Sequence, residues 1–507
     1  MESLSLPQPT VSLKADGKAF DKGLKSNAIG YMSNLVIAVA STAPAYSLAA
    51  TLGFVTLVSG VGLQSPAVLL IAFVPMLFIA MAYNYMNKAD PDCGTTFSWA
   101  TRAFGPQAGW MGGWGILTSD ILVMASLAQI AALYTFHLWY ANPSPSSVGV
   151  LAIGVGWIVV MTWICWIGIE LSARLQQILL TLEVITLSVF AVVALVDVFS
   201  HQAGPHAIKP TLAWFNPFDI SSVSTLGTAV LIAIFIYWGW DSGVAVNEES
   251  HDSARGPGRA AVLSTVLLLV IYVVTTAAAQ AFNGPAALSS HASDVFAYLG
   301  PKVFPKPLNL ILILTVLSST SASTQTTILP TARTSLAMAR WGAIPKIFGR
   351  VHTEHKTPDV STIAFGAISV IWFVAIDILS PNNVLGDSVD AVGFMVCFYY
   401  GITGFACAWY YRRELTKSMR NFVFVGLAPL LGGLALLGVF IIGMNYYGHQ
   451  INNYSKDILG LGLPDVIGIG LLIIGLLLGL IMHFTLPGFY RSHKPTVADP
   501  ALLTESS

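Results

Sequence analysis

Between residues 27 and 486 the chain returns repeatedly to apolar runs of about 20 residues, each long enough as a helix to cross a hydrocarbon core roughly 30 Å thick. Lipid offers no partner for backbone N–H and C=O groups, so such runs must satisfy them internally, and a chain built of them folds as a helical membrane protein. We read twelve spans: 27–59 (α1), 63–85 (α2), 109–137 (α3), 147–167 (α4), 171–199 (α5), one starting near 223 (α6), 260–282 (α7), 307–338 (α8), 358–379 (α9), 385–411 (α10), 422–446 (α11) and 464–484 (α12). With 55% hydrophobic and only 10% charged residues, a soluble globule of 507 residues would lack polar surface. The fold class expected is therefore an all-α integral membrane protein.

The placement of charge orients it. If the N-terminus is cytoplasmic, only Lys209, Lys302, Lys306 and Lys456 of the 24 Lys and Arg residues fall outside, leaving 24 − 4 = 20 within, among them Lys14, Lys18, Lys22 and Lys25. The positive-inside rule then puts both termini in the cytoplasm. The first 26 residues are polar and lack the apolar core of a cleavable signal peptide. Residues 93–105 place Phe97, Trp99 and Phe104 among polar residues, the pattern of a short amphipathic helix in the interface. Gly109, Gly112, Gly113 and Gly115 at the start of α3 suit close helix packing.

Two spans are interrupted. In α1 the run Ser41, Thr42, Ala43, Pro44, Ala45 breaks the apolar pattern; proline removes a donor and clashes with the preceding turn, so a new helical segment is expected there, capped by Ser41 or Thr42 with Pro44 in its first turn. In α6 the pattern fails at Tyr237, Trp238, Gly239, Trp240, Asp241, Ser242 and Gly243. Interrupted spans at corresponding positions of two halves point to a site near the bilayer midplane, because unwound backbone at that depth must be satisfied by protein or by a ligand cavity. With five spans in the first half, the second half has inverted topology.

These residues resemble the amino acid-polyamine-organocation (APC) superfamily of transporters. The carriers are the small-residue break at Ser41, Thr42 and Ala43, and the run Phe235-Ile236-Tyr237-Trp238-Gly239-Trp240-Asp241. Glu248-Glu249 followed by Arg255 and Arg259, and Arg333 followed by Arg340-Trp341-Gly342 and Pro345, complete the likeness. The resemblance implies the LeuT-like fold of a five-plus-five inverted repeat with helices 1 and 6 broken. The chain divides accordingly into a cytoplasmic tail (1–26), a first repeat (27–199), a second (200–411), two trailing helices (412–486) and a C-terminal tail (487–507). The chain departs from the family in three places. Ser41 and Ala43 stand for glycines, Asp241 stands for a glutamate, and Glu183, placed by counting from Gly168, Ser172, Ala173 and Arg174, occupies the α5 position where many members carry a lysine.

The expected function is secondary active transport of an amino acid or related amine, such as a polyamine, across the plasma membrane. In this reading free N–H groups near Thr42 to Ala45 meet a substrate carboxylate, while carbonyls near Phe235, Ile236 and Tyr237 and those ending the inner half of α1 receive its ammonium. The resemblance adds Phe235 and Trp238 as pocket wall and gate. Three acids lie at membrane depth, Asp120, Glu183 and Asp241, and are candidates for carrying a coupling proton. Glu183 can also be a hydrogen-bonded structural acid or touch a substrate ammonium, Asp120 can be a structural or water-exposed acid, and Asp241 can simply cap the inner half of α6. Thr320, Ser321 and Thr324 in α8 can ligate sodium, or satisfy their own preceding turn. Glu248, Glu249 and Arg255 form a candidate inner gate. Cys93, Cys165, Cys397 and Cys407 read as buried free thiols, His352 and His355 as solvated residues, and no metal or cofactor is expected. Exchange or sodium symport uses the same architecture; an inorganic-ion cotransporter and a non-transporting amino acid sensor are the readings of a different class. An enzyme or a channel finds no support, since no nucleophile-base set and no filter-like repeat appears. Nothing in the sequence points to nucleic acid as a partner.

Overall fold

The computed structural model describes residues 22–140, 148–381, 383–449, 457–458 and 460–492. Residues 1–21 of the expected N-terminal tail, Lys456 and residues 493–507 lie outside them. All twelve expected spans are helical: α1 as Tyr31–Thr42 and Pro44–Leu57, α2 Ser65–Ala89, α3 Pro106–His137, α4 Val148–Ile167, α5 Ile169–Phe199, α6 from Val223–Tyr237, α7 Gly256–Ser290, α8 Asn309–Arg340, α9 Asp359–Leu379, α10 Val384–Tyr410, α11 ending as Ala428–Tyr447 and α12 Leu463–Thr485. Eleven helices among the described residues are long and apolar enough to cross a membrane. The twelfth, α8, is 32 residues long, but its middle is a run of serine and threonine, and it is buried along most of its length. Span α7 is interrupted where Gly284 takes φ 75°, next to Pro285.

The core lies where α1, α3, α6, α8 and α10 pack together. Helices α4, α5, α9 and α12 instead expose rows of large apolar residues, such as Val159 and Trp163 in α4 or Leu476, Leu477 and Leu480 in α12. That outward apolarity is what a lipid-facing helix needs.

Two local expectations are corrected. The short helix of residues 93–105, expected in the interface, forms as Thr96–Phe104 and is buried in the bundle: Phe97 and Trp99 are inaccessible, and Thr96 Oγ1 meets both Tyr83 Oη (2.8 Å) and Thr403 Oγ1 (2.6 Å). An amphipathic pattern serves a protein crevice as well as a membrane surface. The α3 glycines make that insertion possible, because a Cβ at Gly109 or Gly112 would collide with Thr101 or Thr96 of the short helix. His352 and His355 are not simply solvated: their rings stack on one another at 4.6 Å and both meet the ring of Trp166. All four cysteines are buried and free, as expected.

Candidate functional site

Helix α1 breaks at Ala43, one residue before the proline. Ala43 adopts φ 47° and ψ 71°, and Pro44 opens the next segment where its missing N–H leaves no intrahelical bond unmade. The expected side-chain cap is absent: the Thr42 hydroxyl donates backwards to the Val39 carbonyl at 2.7 Å, and Ala43 itself is the N-cap. Helix α6 unwinds after Tyr237 through extended Trp238 and Gly239 at φ 115°, then resumes as the single turn Ser242–Ala245.

The two breaks touch. A Cβ placed on Gly239 would lie 2.9 Å from the carbonyl carbon and oxygen of Ser41, so α6 can cross α1 there only because residue 239 has no side chain. Beside that crossing, Ser41 Oγ and Ser242 Oγ share a hydrogen bond of 2.7 Å, and Ser323 of α8 donates to the Ser41 carbonyl at 2.9 Å. We expect Gly239→Ala, which adds both the collision and a strained φ, to destabilise this crossing by about 1–3 kcal/mol, seen as a lowered unfolding temperature of the purified protein.

Aromatic residues line the crossing. Phe235 packs edge-on against Tyr46 and beside Trp238, all three buried, and the Trp238 indole N–H donates to the Tyr399 hydroxyl. Asp241 is fixed from α10: Tyr399 and Tyr400 each donate a hydroxyl to its carboxylate at 2.9 Å. It begins the turn of α6 but makes no side-chain cap, so the capping role gives way to a tie between α6 and α10. Asp120 of α3 accepts from the Thr331 hydroxyl of α8.

The amides expected to await a substrate carboxylate are already engaged. Ala43 N–H bonds the Ala40 carbonyl and Ser47 N–H bonds the Ala43 carbonyl. Ala45 N–H donates to Glu183 Oε1 at 2.7 Å, and Tyr46 N–H donates to Ser319 Oγ at 3.2 Å, whose own hydroxyl donates to Glu183 at 2.8 Å. The carbonyls ending the inner half of α1 are also in use: Thr42 O accepts from Ser47 Oγ and Tyr272 Oη. At the α6 break, by contrast, no hydrogen bond reaches the carbonyls of Ile236, Tyr237 and Trp238 among the described residues.

On α8, Thr320, Ser321 and Thr324 each donate to carbonyls of their own preceding turn. The hydroxyls that reach α1 are instead Ser319 and Ser323, which sequence reasoning missed although they lie in the same Ser/Thr run.

The gate is corrected as well. Glu248 and Glu249 turn to Lys22 and Arg333 rather than to Arg255. Lys22 Nζ, 1% exposed, bridges Asp92 Oδ2 at 2.8 Å and Glu248 Oε1, and Arg333 forms a two-pronged pair with Glu249, with Nη2 to Oε1 at 2.8 Å. The chain at Ala28 and Ile29 hydrogen-bonds the Glu249 carbonyl, and the His251 amide bonds Ile29, so the segment entering α1 is stitched to the segment leaving α6. The carboxylates of Asp92 and Glu248 outweigh the burial that opposes the Lys22 charge, holding that ammonium well above the ordinary lysine range. Asp92, Cys93 and Glu248 stand close enough to hold a metal, but Lys22 occupies the two carboxylates.

Sequence comparison gives a family and relatives. The profile described as amino acid permease matches residues 29–456. The low-affinity putrescine importer PlaP of Escherichia coli is 23% identical over 74% of this chain and 80% of its own. The arginine/ornithine antiporter of Latilactobacillus sakei is 24% identical over 81% and 90%, and the branched-chain amino acid permease BcaP of Lactococcus lactis is 23% identical over 72% and 78%.

Proposed function

Because this chain belongs to the amino acid permease family, we propose that it is a secondary active transporter that moves an amino acid or related amine across the plasma membrane by alternating access, coupled to protons. The observation that carries this reading is the meeting of two helix breaks within a membrane-spanning bundle, one at Ala43 of α1 and one at Trp238–Gly239 of α6, with Gly239 packed on the Ser41 carbonyl in the last turn before the first break. Unwound backbone at that depth provides polar groups for a small substrate, and a break lets the two halves of each helix tilt independently. Residues 27–199 and 200–411 act as the inverted repeats, with 412–486 trailing and the tails 1–26 and 487–507 in the cytoplasm.

Asp241 is the coupling carboxylate in this scheme. It ties the α6 break to α10 through two tyrosines, so a proton arriving on it weakens both hydrogen bonds at the place where α6 must move. Asp120, which bridges α3 to α8 through Thr331, is a second proton station. Phe235 and Trp238 are the wall over the substrate. The driving ion in this reading is the proton that Asp241 takes up, while Thr320, Ser321 and Thr324 donate their hydroxyl protons to their own preceding turns.

Reconstitution into proteoliposomes tests this. Uptake of the substrate should follow an imposed pH gradient and be indifferent to a sodium gradient. Asp241→Asn should lower gradient-driven uptake by at least about tenfold, or 1.4 kcal/mol, while counterflow against internal substrate persists. Uptake that needs only internal substrate in the wild type would replace symport by exchange.

A further inference from the structure

Glu183 stands where a substrate carboxylate was expected. A helix beginning at membrane depth presents its first free N–H groups and its positive end to whatever anion lies nearby. Here that start is filled from within the chain. Pro44 has no N–H, Ala45 donates to Glu183, Tyr46 donates to Ser319, and Ser319 donates to Glu183, so one carboxylate and one hydroxyl cap the whole first turn. Glu183 is 1% exposed, and no lysine or arginine pairs with it among the described residues. The buried cations Lys22 and Arg333 are committed to Asp92, Glu248 and Glu249.

The other break offers the opposite chemistry. The carbonyls of Ile236, Tyr237 and Trp238 accept no hydrogen bond among the described residues, and the Asp241 carboxylate follows three residues on. The amides of Gly239 and Trp240 make no hydrogen bond there either, but they immediately precede that carboxylate, which repels a second anion. The crossing therefore holds three unengaged carbonyls and an acid, while its helix-terminal donors are spent.

We propose that Glu183 is a specificity-determining residue, a resident carboxylate that fills the anion subsite at the α1 break, so that the carrier takes amine cations lacking an α-carboxylate and rejects the corresponding amino acids. This rests on the reading of the two breaks as the transport site. An amino acid entering with its carboxylate towards Ala45 meets a donor already bonded at 2.7 Å by the Glu183 carboxyl oxygen, and must displace both Glu183 and Ser319 to bind. An amine makes no such demand and finds its acceptors at α6.

Probes that differ only by the carboxylate read this directly: putrescine against ornithine, agmatine against arginine, isoamylamine against leucine. Each is titrated by thermal shift on the purified full-length protein and then used as competitor in proteoliposome counterflow. In the wild type at least one amine should bind about tenfold or more tighter than its amino acid, equivalent to 1.4 kcal/mol. Glu183→Ala, which frees the Ala45 amide, should bring the two to within about threefold of each other, chiefly by improving the amino acid. Amino acids binding as tightly as their amines in the wild type, or a preference unchanged in Glu183→Ala, overturns the role of Glu183 and leaves the transporter reading intact. Absence of binding and counterflow for every amine and amino acid overturns the transporter reading itself. The wild-type comparison needs no variant, so misfolding of Glu183→Ala does not remove the test.

Discussion

Arg333→Ala is expected to cost about 3–5 kcal/mol of stability, the largest effect of any single side chain considered, because it strips the partner from a carboxylate that has no route to water. Arg333 and Glu249 are each 1% exposed and meet through two parallel bonds, the geometry in which a guanidinium neutralises a carboxylate most fully. Arg333 also donates to the Leu329 carbonyl one turn back, which fixes its stem within α8. The pair joins α8 to the short segment after α6, so its loss removes one of the ties that hold the inner half of α6 to the scaffold. Thermal unfolding of purified protein in detergent should show Arg333→Ala melting far below wild type. Arg333→Met combined with Glu249→Leu should recover most of the loss, since two apolar side chains fill the same volume without a stranded charge. If the single variant melts with the wild type, the pair does not hold the inner end together.

The second large effect is expected at Lys22. Its ammonium sits between Asp92 and Glu248, and Glu248 also accepts the Cys93 N–H at 2.9 Å. Replacing Lys22 with alanine leaves two buried carboxylates facing each other without their cation; one takes up a proton, and the segment around residue 22, no longer held by its ammonium, swings away and admits water. Cys93 reports on that opening. Its thiol is wholly buried, and burial together with the nearby Glu248 charge pushes its ionisation well above the ordinary thiol range, so it should be inert while the end is shut. In Lys22→Ala a maleimide applied to the purified protein in detergent should label Cys93 about tenfold faster than in wild type, and Cys93→Ser should abolish the signal. Equal labelling of wild type and variant would show that Lys22 is packed at this end without closing it.

Much of this architecture is legible from the sequence because membrane spans are long and their polar interruptions few. Pro44 and Gly239 mark both breaks, since each residue type solves a local backbone problem that can be read without knowing its neighbours. What escapes is whatever depends on residues distant in the chain. Lys22 lies 70 residues from Asp92 and 226 from Glu248, and in sequence it is one lysine among several in a polar tail. Glu183 lies 138 residues from the Ala45 amide that it caps, so an acid that pattern alone marks as costly cannot be told from a cap. The short helix Thr96–Phe104 shows a different limit, because its apolar face fits lipid headgroups and a groove between helices equally well.

The composition of α8 bears on how the molecule is made. A helix carrying Ser318, Ser319, Thr320, Ser321, Ser323, Thr324, Gln325, Thr326 and Thr327 in succession gains little from leaving the translocon for bare lipid, unlike the apolar runs on either side of it. Its hydroxyls find acceptors in their own preceding turns, in Ser41 O of α1 and in Glu183 of α5. Biogenesis should therefore be cooperative at this point: α8 waits beside the insertion channel until α1 and α5 can receive it, and a nascent chain carrying α8 without them should pass it through to the far side, where an engineered glycan acceptor following residue 345 would be modified.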